Sequence, residues 1–224
     1  MKPLSSPLAA ILLLVGLAVP ASSDTAKLYG EHCASCHGET RLGGIGPALL
    51  PQNMGRLKGE AITKVIAEGR EATQMPAFGQ VLSPDDMKAL TAFVSRPLDV
   101  MPVWGAAEIT ATRVIERQPK VLTKPVFDAD PLNLTLVVEI GDHHATVLDG
   151  DRLEPLIRFP TRFALHGGPK FTPDGRFVFF MSRDGWVEKY DLWSLEKIGE
   201  VRAGINARNI ALSSDGKHIA VANY

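Results

Sequence analysis

The sequence predicts two units of different class: a small, loop-rich, all-α unit followed by an all-β unit built from propeller blades. Apolar residues recur at helical spacing between Thr25 and Arg96, as in Ala61, Ile62, Val65 and Ile66, and again in Met87, Leu90, Phe93 and Val94. From Leu134 onward, short β-rich runs are separated by the turn pairs Asp149-Gly150, Asp174-Gly175, Asp184-Gly185 and Asp215-Gly216. The β part also repeats itself. Ala145–Phe159 aligns with Val187–Val201 at an offset of 42 residues, and FTPDGRFVFF from Phe171 aligns with LSSDGKHIAV from Leu212 at an offset of 41. A period near 40–45 residues with four short strands per repeat is that of a propeller blade.

Residues 1–23 read as a cleavable signal peptide: Lys2, an apolar run from Leu8 to Val19, then Ala21, Ser22 and Ser23. That run is shorter than the ~20 residues needed to span a bilayer. The mature protein is therefore expected in the periplasm, with no integral membrane segment. Residues 24–97 form the helical unit. Gly43, Gly44, Gly46 and Pro47 mark a loop, and Ser83, Pro84 and Asp86 form a helix start. Residues 98–133 read as a linker in which Pro102, Pro119, Pro125 and Pro131 interrupt any helix. Residues 134–224 hold a little over two blades, fewer than a propeller needs to close, so a truncated, incomplete propeller is expected.

The 224 residues are 45% hydrophobic and 22% charged, with a formal net charge of −1, an ordinary globular composition without the basic excess of a nucleic-acid binder. Two cysteines exclude a disulfide framework. Cys33 and Cys36 stand in Cys-Ala-Ser-Cys-His, the pattern of c-type haem attachment: two thiols on one helical turn reach two vinyl groups of a porphyrin, and His37 reaches its iron. A thioredoxin-like pair expects a βαβ context and a zinc site expects further ligands. For the sixth iron position the candidates are Met54, Met75 and Met87. Met87 falls on a core stripe and Met54 in a loop without supporting structure, whereas Met75, in Gln74-Met75-Pro76-Ala77-Phe78-Gly79, lies in an extended loop able to cross the ring.

Among the remaining histidines, His32 and His218 read as surface residues. His143 and His144 read as strand neighbours facing opposite ways. His166 and Arg208 hold equivalent places before the first strands of adjacent blades, where an iron ligand and a cation would face one pocket.

CASCHGE with the QMPAFG loop resembles the small class I cytochromes c. The stretches ALHGGPKFTPDGRFVFFMSRDGWVEKYDLW and GINARNIALSSDGKHIAVANY resemble the start of the haem d1 propeller of the cytochrome cd1 family. The resemblance covers nearly the whole mature chain. It implies an eight-bladed propeller, noncovalent haem d1 or dihydro-haem d1 with His166 on its iron, and Arg183 and Arg208 on its carboxylates, with Arg162 a weaker candidate. It implies one of two activities: dehydrogenation of dihydro-haem d1 to haem d1 with electrons passed to haem c, or reduction of nitrite to nitric oxide. The short segment before Cys33 and the HGGPKFTPDGR stretch favour the dehydrogenase. A redox partner protein in the periplasm, delivery of haem d1 to a nitrite reductase, and catalytic acid/base groups beyond Tyr224 are further implications. A non-enzymatic electron carrier or d1-binding protein is the alternative of a different class.

Overall fold

In the computed structural model, residues 22–223 are described; most of the expected signal peptide lies outside them. The first unit contains α1 (Ser22–His32), α2 (Ala34–His37), α3 (Pro51–Met54), α4 (Glu60–Glu68) and α5 (Pro84–Ser95). The helical spacing read from the sequence becomes one core, in which Ile62 and Ile66 of α4 meet Tyr29 of α1, Leu82, and Met87, Leu90 and Val94 of α5. The start of α5 is a capping box: Ser83 Oγ accepts the Asp86 N–H at 3.1 Å, and Asp86 Oδ2 accepts the Ser83 N–H at 3.2 Å.

The expected linker contains α6 (Ala106–Ala111) and β1 (Val114–Ile115). The reading that its prolines interrupt every helix is thus corrected. Pro102 and Pro119 leave room between them for a helix of 6 residues, and Glu108 Oε2 caps the Gly105 N–H at 2.9 Å. The short strand β1 pairs antiparallel with β8, placing Val114 opposite Glu200.

Three open sheets follow. β2 (Leu134–Glu139), β3 (His144–Asp149) and β4 (Pro155–Pro160) form the first. The second runs in the order β1-β8-β7-β6-β5, with β5 at Lys170–Phe171, β6 at Phe177–Met181, β7 at Trp186–Asp191 and β8 at Glu196–Arg202. The third is β9 (Ala207–Leu212) with β10 (Ile219–Asn223). All pairings are antiparallel between sequence neighbours except β1 with β8, the connectivity of successive blades.

The internal repeat is also a repeat of turn chemistry. Leu153 and Leu195 both adopt positive φ, 57° and 56°, beside the buried turn carboxylates Asp149 and Asp191. Asp149 Oδ1 accepts the Asp151 N–H, and Asp191 Oδ1 accepts the Trp193 N–H. In the other hairpin Thr172 Oγ1 donates to Asp174 Oδ1 at 2.5 Å, and Ser213 Oγ to Asp215 Oδ1 at the same distance. Gly175 and Gly216 follow at φ 70°, a conformation that glycine adopts without steric cost. The sheets pack face to face. Phe180 and Tyr190 meet Phe159 of the preceding sheet, and Phe179 and Val187 meet Ile210 of the following one.

The two units are joined by a buried guanidinium. Arg202 Nε donates to the carbonyls of Asp184 at 2.9 Å and Gly204 at 3.2 Å, and its Nη2 donates to that of Leu42 in the first unit at 2.5 Å. Trp104 lies against the same guanidinium, 4.9 Å from its ring centroid, and its indole N–H donates to the Arg202 carbonyl. Asn53 adds a bond from Nδ2 to the Ile205 carbonyl at 3.0 Å.

Phe180→Ala removes a ring only 1% exposed and should cost about 3–5 kcal/mol, read as a lower urea midpoint by tryptophan fluorescence. Arg202→Ala leaves three carbonyls without their donor. It should destabilise by about 2–4 kcal/mol and speed amide hydrogen exchange in residues 41–47.

Candidate functional site

The Cys-x-x-C-H segment is a tight helical turn. Cys33 ends the turn begun by α1, with its N–H on the Tyr29 carbonyl at 2.8 Å, and its own carbonyl accepts from Cys36 and His37. This puts both thiols, each half-buried and unbridged, along one short helix with His37 immediately after. Burial, with the neighbouring Cys36, pushes the Cys33 thiol up to about 11. A thiol so disposed is a poor redox nucleophile, unlike the acidic thiolate of a thioredoxin-type pair.

His37 is 7% exposed, and its Nδ1 lies 2.7 Å from the Pro47 carbonyl. A carbonyl only accepts, so Nδ1 carries the proton and Nε2 presents a lone pair, the tautomer of a metal-ligating imidazole. Burial lowers the His37 pKa, partly opposed by the Pro47 carbonyl, which keeps the ring neutral. The loop wraps closely beneath it: Gly46 donates to the Cys36 carbonyl at 2.8 Å, and a Cβ on Gly46 would stand 3.0 Å from the imidazole.

Met75 is half-buried on the loop between α4 and α5. Its N–H donates to Thr73 Oγ1 at 3.2 Å and its carbonyl accepts from Arg70 at 3.2 Å, while Phe78 is anchored to the Ile66 carbonyl. Met54, expected in an unsupported loop, instead ends α3 and packs against the core of the first unit, because Pro51 starts a helical turn there. Met87 is buried in that core.

A second imidazole repeats the first arrangement. His166 is exposed, donates its backbone N–H to Met181, and holds Nδ1 2.7 Å from the Arg208 carbonyl. Its Nε2 is again left as the free lone pair. The ring borders a recess of about 290 Å³ lined by Val138, Ile140, Leu165, Phe180 and Met181. Arg183 is interlocked with this site, its N–H on the Ala164 carbonyl and its own carbonyl accepting from Ala207. Burial and the like charges of Arg208 and Arg70 lower the Arg183 pKa. Arg70 was not legible as part of this patch, because it belongs to the helical unit and only the docking brings it near.

Two expectations change at the edges of these sites, those for Arg162 and His143. Arg162 is engaged elsewhere: it ion-pairs with Glu200 and its guanidinium stacks 3.9 Å from the Trp186 ring centroid. His143 lies in the turn before β3 with φ 62°, so it does not alternate with His144 along a strand. It packs edge-on to Phe163 and borders a cavity of about 380 Å³ shared with Gly44, Ile45 and Gln74 of the helical unit. His32 sits edge-on to Phe78, and His218 is exposed in the turn before β10.

Asp184 is fully buried, with both carboxylate oxygens lacking a hydrogen-bond partner. Burial raises its pKa to about 7, opposed chiefly by the charge of Arg202. Among the described residues no helix is long and apolar enough to cross a membrane.

Comparison with known proteins places each unit. The family model described as cytochrome C oxidase, cbb3-type, subunit III matches residues 20–94, and that described as cytochrome D1 heme domain matches residues 129–224. A dihydro-heme d1 dehydrogenase from Pseudomonas aeruginosa is 52% identical over 217 residues, covering 95% of this chain and 43% of that protein. A nitrite reductase from Stutzerimonas stutzeri is 24% identical over 241 residues, covering 95% of this chain and 42% of that protein. The solved dihydro-heme d1 dehydrogenase NirN in complex with DHE superposes with a TM-score of 0.81 at 53% identity, over 88% of this chain and 43% of that one. The chain thus spans less than half the length of these relatives. A unit that matches a cytochrome c model, followed by open, blade-like sheets that match a cytochrome D1 heme domain model, is thus the arrangement this chain has in common with a dihydro-heme d1 dehydrogenase.

Proposed function

We propose that this chain contributes the electron-accepting unit and the first part of the tetrapyrrole pocket of a periplasmic, signal-peptide-exported dehydrogenase completing haem d1. Its substrate is dihydro-haem d1, from which two hydrogens leave one propionate side chain as two protons and two electrons, giving the acrylate. Haem c, when bound, supplies a one-electron acceptor, so two transfers complete one turnover. The observation that carries this reading is the 52% identity to a dihydro-heme d1 dehydrogenase along 95% of the chain, against 24% to a nitrite reductase.

The residues present fit both groups. Cys33 and Cys36 would hold the first by thioethers from one helical turn, and His37 Nε2 and the Met75 sulfur would serve as ligands to its iron. The neutral, Nδ1-anchored ring of His37 and the apolar core behind it support that assignment. His166 Nε2 takes the iron of the second group, oriented by the Arg208 carbonyl. Arg183 and Arg208 hold its carboxylates, since a planar guanidinium meets a carboxylate through two donors at once. A periplasmic cytochrome is the onward electron acceptor, and a nitrite reductase the recipient of the finished cofactor. Both partners follow from this reading.

Anaerobic addition of dihydro-haem d1 to a molecule spanning the full length of the relatives should convert its spectrum to that of the acrylate. Binding without conversion would favour a carrier, and nitric oxide formation from nitrite a reductase. Replacing Cys33 and Cys36 by Ser should leave no haem resistant to acid–acetone extraction. His166→Ala should weaken dihydro-haem d1 binding by more than ~100-fold with the c-type bands intact. Arg208→Ala should weaken it by roughly 10-fold or more, measured by spectral titration.

A further inference from the structure

Asp184 departs from the pattern of its own fold. Asp149 and Asp191, also buried, accept backbone N–H groups in their turns, and Asp191 is paired with Arg176 at 2.7 Å. Asp184 occupies the turn between β6 and β7, yet its side chain faces the helical unit, with neither oxygen hydrogen-bonded. Its neighbour there is Gly43, where a Cβ would collide with Oδ2. Gly43 in turn donates its N–H to the His37 carbonyl at 2.9 Å.

The charged groups facing Asp184 are three guanidiniums. Arg202 on β8 is committed to three carbonyls, one of them the backbone carbonyl of Asp184. Arg162, from the loop after β4, is paired with Glu200, and Arg183 is the preceding residue in the chain. Their fields temper the cost of a buried anion without giving it a hydrogen bond. The carboxyl therefore exchanges its proton near neutral pH rather than in acid.

We propose that Asp184 is the proton-coupling group of the cytochrome unit, taking up one proton as one electron arrives at the centre held by His37 and releasing it as that electron leaves. The inference rests on the haem c assignment above and on no other part of the proposed function. Its physical basis is Coulombic: in a water-poor interior, an added negative charge raises the energy of a nearby carboxylate and favours its protonated form. The sign follows. Above the titration Asp184 is anionic and opposes the incoming electron, so the reduction potential falls as pH rises.

Redox-difference infrared spectroscopy on the haem-loaded chain, with dithionite as reductant, tests this directly. Near pH 7 a protonated-carboxyl band should appear on reduction, and it should shift when the chain carries 13C-labelled aspartate. Asp184→Asn should remove the band and flatten the pH dependence of the potential. In the unsubstituted chain the reduction constant should fall by up to 10-fold, ~59 mV, per pH unit through the titration. A band that does not shift on labelling belongs to the haem propionates and overturns the proposal, as does no band at all. If Asp184→Asn fails to take up haem, the labelled unsubstituted chain decides alone. A chain without a pyridine haemochrome sinks the proposed function as well; a normal haemochrome with no labelled band sinks only this inference.

Discussion

The guanidinium of Arg202 is the constraint on which the arrangement of the two sites depends. A buried cation is expensive unless its donors are matched, and here the matching acceptors come from β-sheet turns and from the helical unit together. Trp104 completes the enclosure from the stretch between the units. Separating the units would strip the cation of the Leu42 carbonyl. The relative position of the loop holding His37 and the blades holding His166 is thereby tied to one side chain that cannot be half satisfied.

Both candidate histidine ligands solve the same local problem in the same way. A histidine that is to bind a metal must have one ring nitrogen chosen for the proton, and each ring has this choice made by a backbone carbonyl 2.7 Å from Nδ1. The accepting carbonyls differ in origin. Pro47 belongs to a loop folded beneath a helix, whereas Arg208 belongs to the next blade's first strand, so the second ring is oriented only once two sheets have docked.

Local signals carried much of the fold. The capping box at Ser83, the stripe through Ile62 and Ile66, and the repeated Asp-Gly turns all express interactions between residues close in sequence, which spacing records. The attachment motif was legible for the same reason: its thiols and imidazole lie within a single turn. Met54 and His143 were misread because their settings are short elements, a one-turn helix after Pro51 and a turn with positive φ, too brief to leave a periodic trace. Arg70 beside Arg183, and Asp184 against Gly43, had no sequence signature at all. Each pair is assembled by docking across more than a hundred residues, and nothing in either segment alone encodes the other.

The pairing of β1 with β8 changes what the stretch between the units is. Two residues of it are stitched in register to the outer edge of a sheet, and α6 precedes them against the same strand. It therefore behaves as a strut rather than a tether, and the helical unit has no slack with which to swing. Under the proposed function, electron passage across such a joint would proceed over a fixed separation instead of awaiting a diffusive encounter, which would make its rate a property of the medium between the centres and insensitive to solvent viscosity.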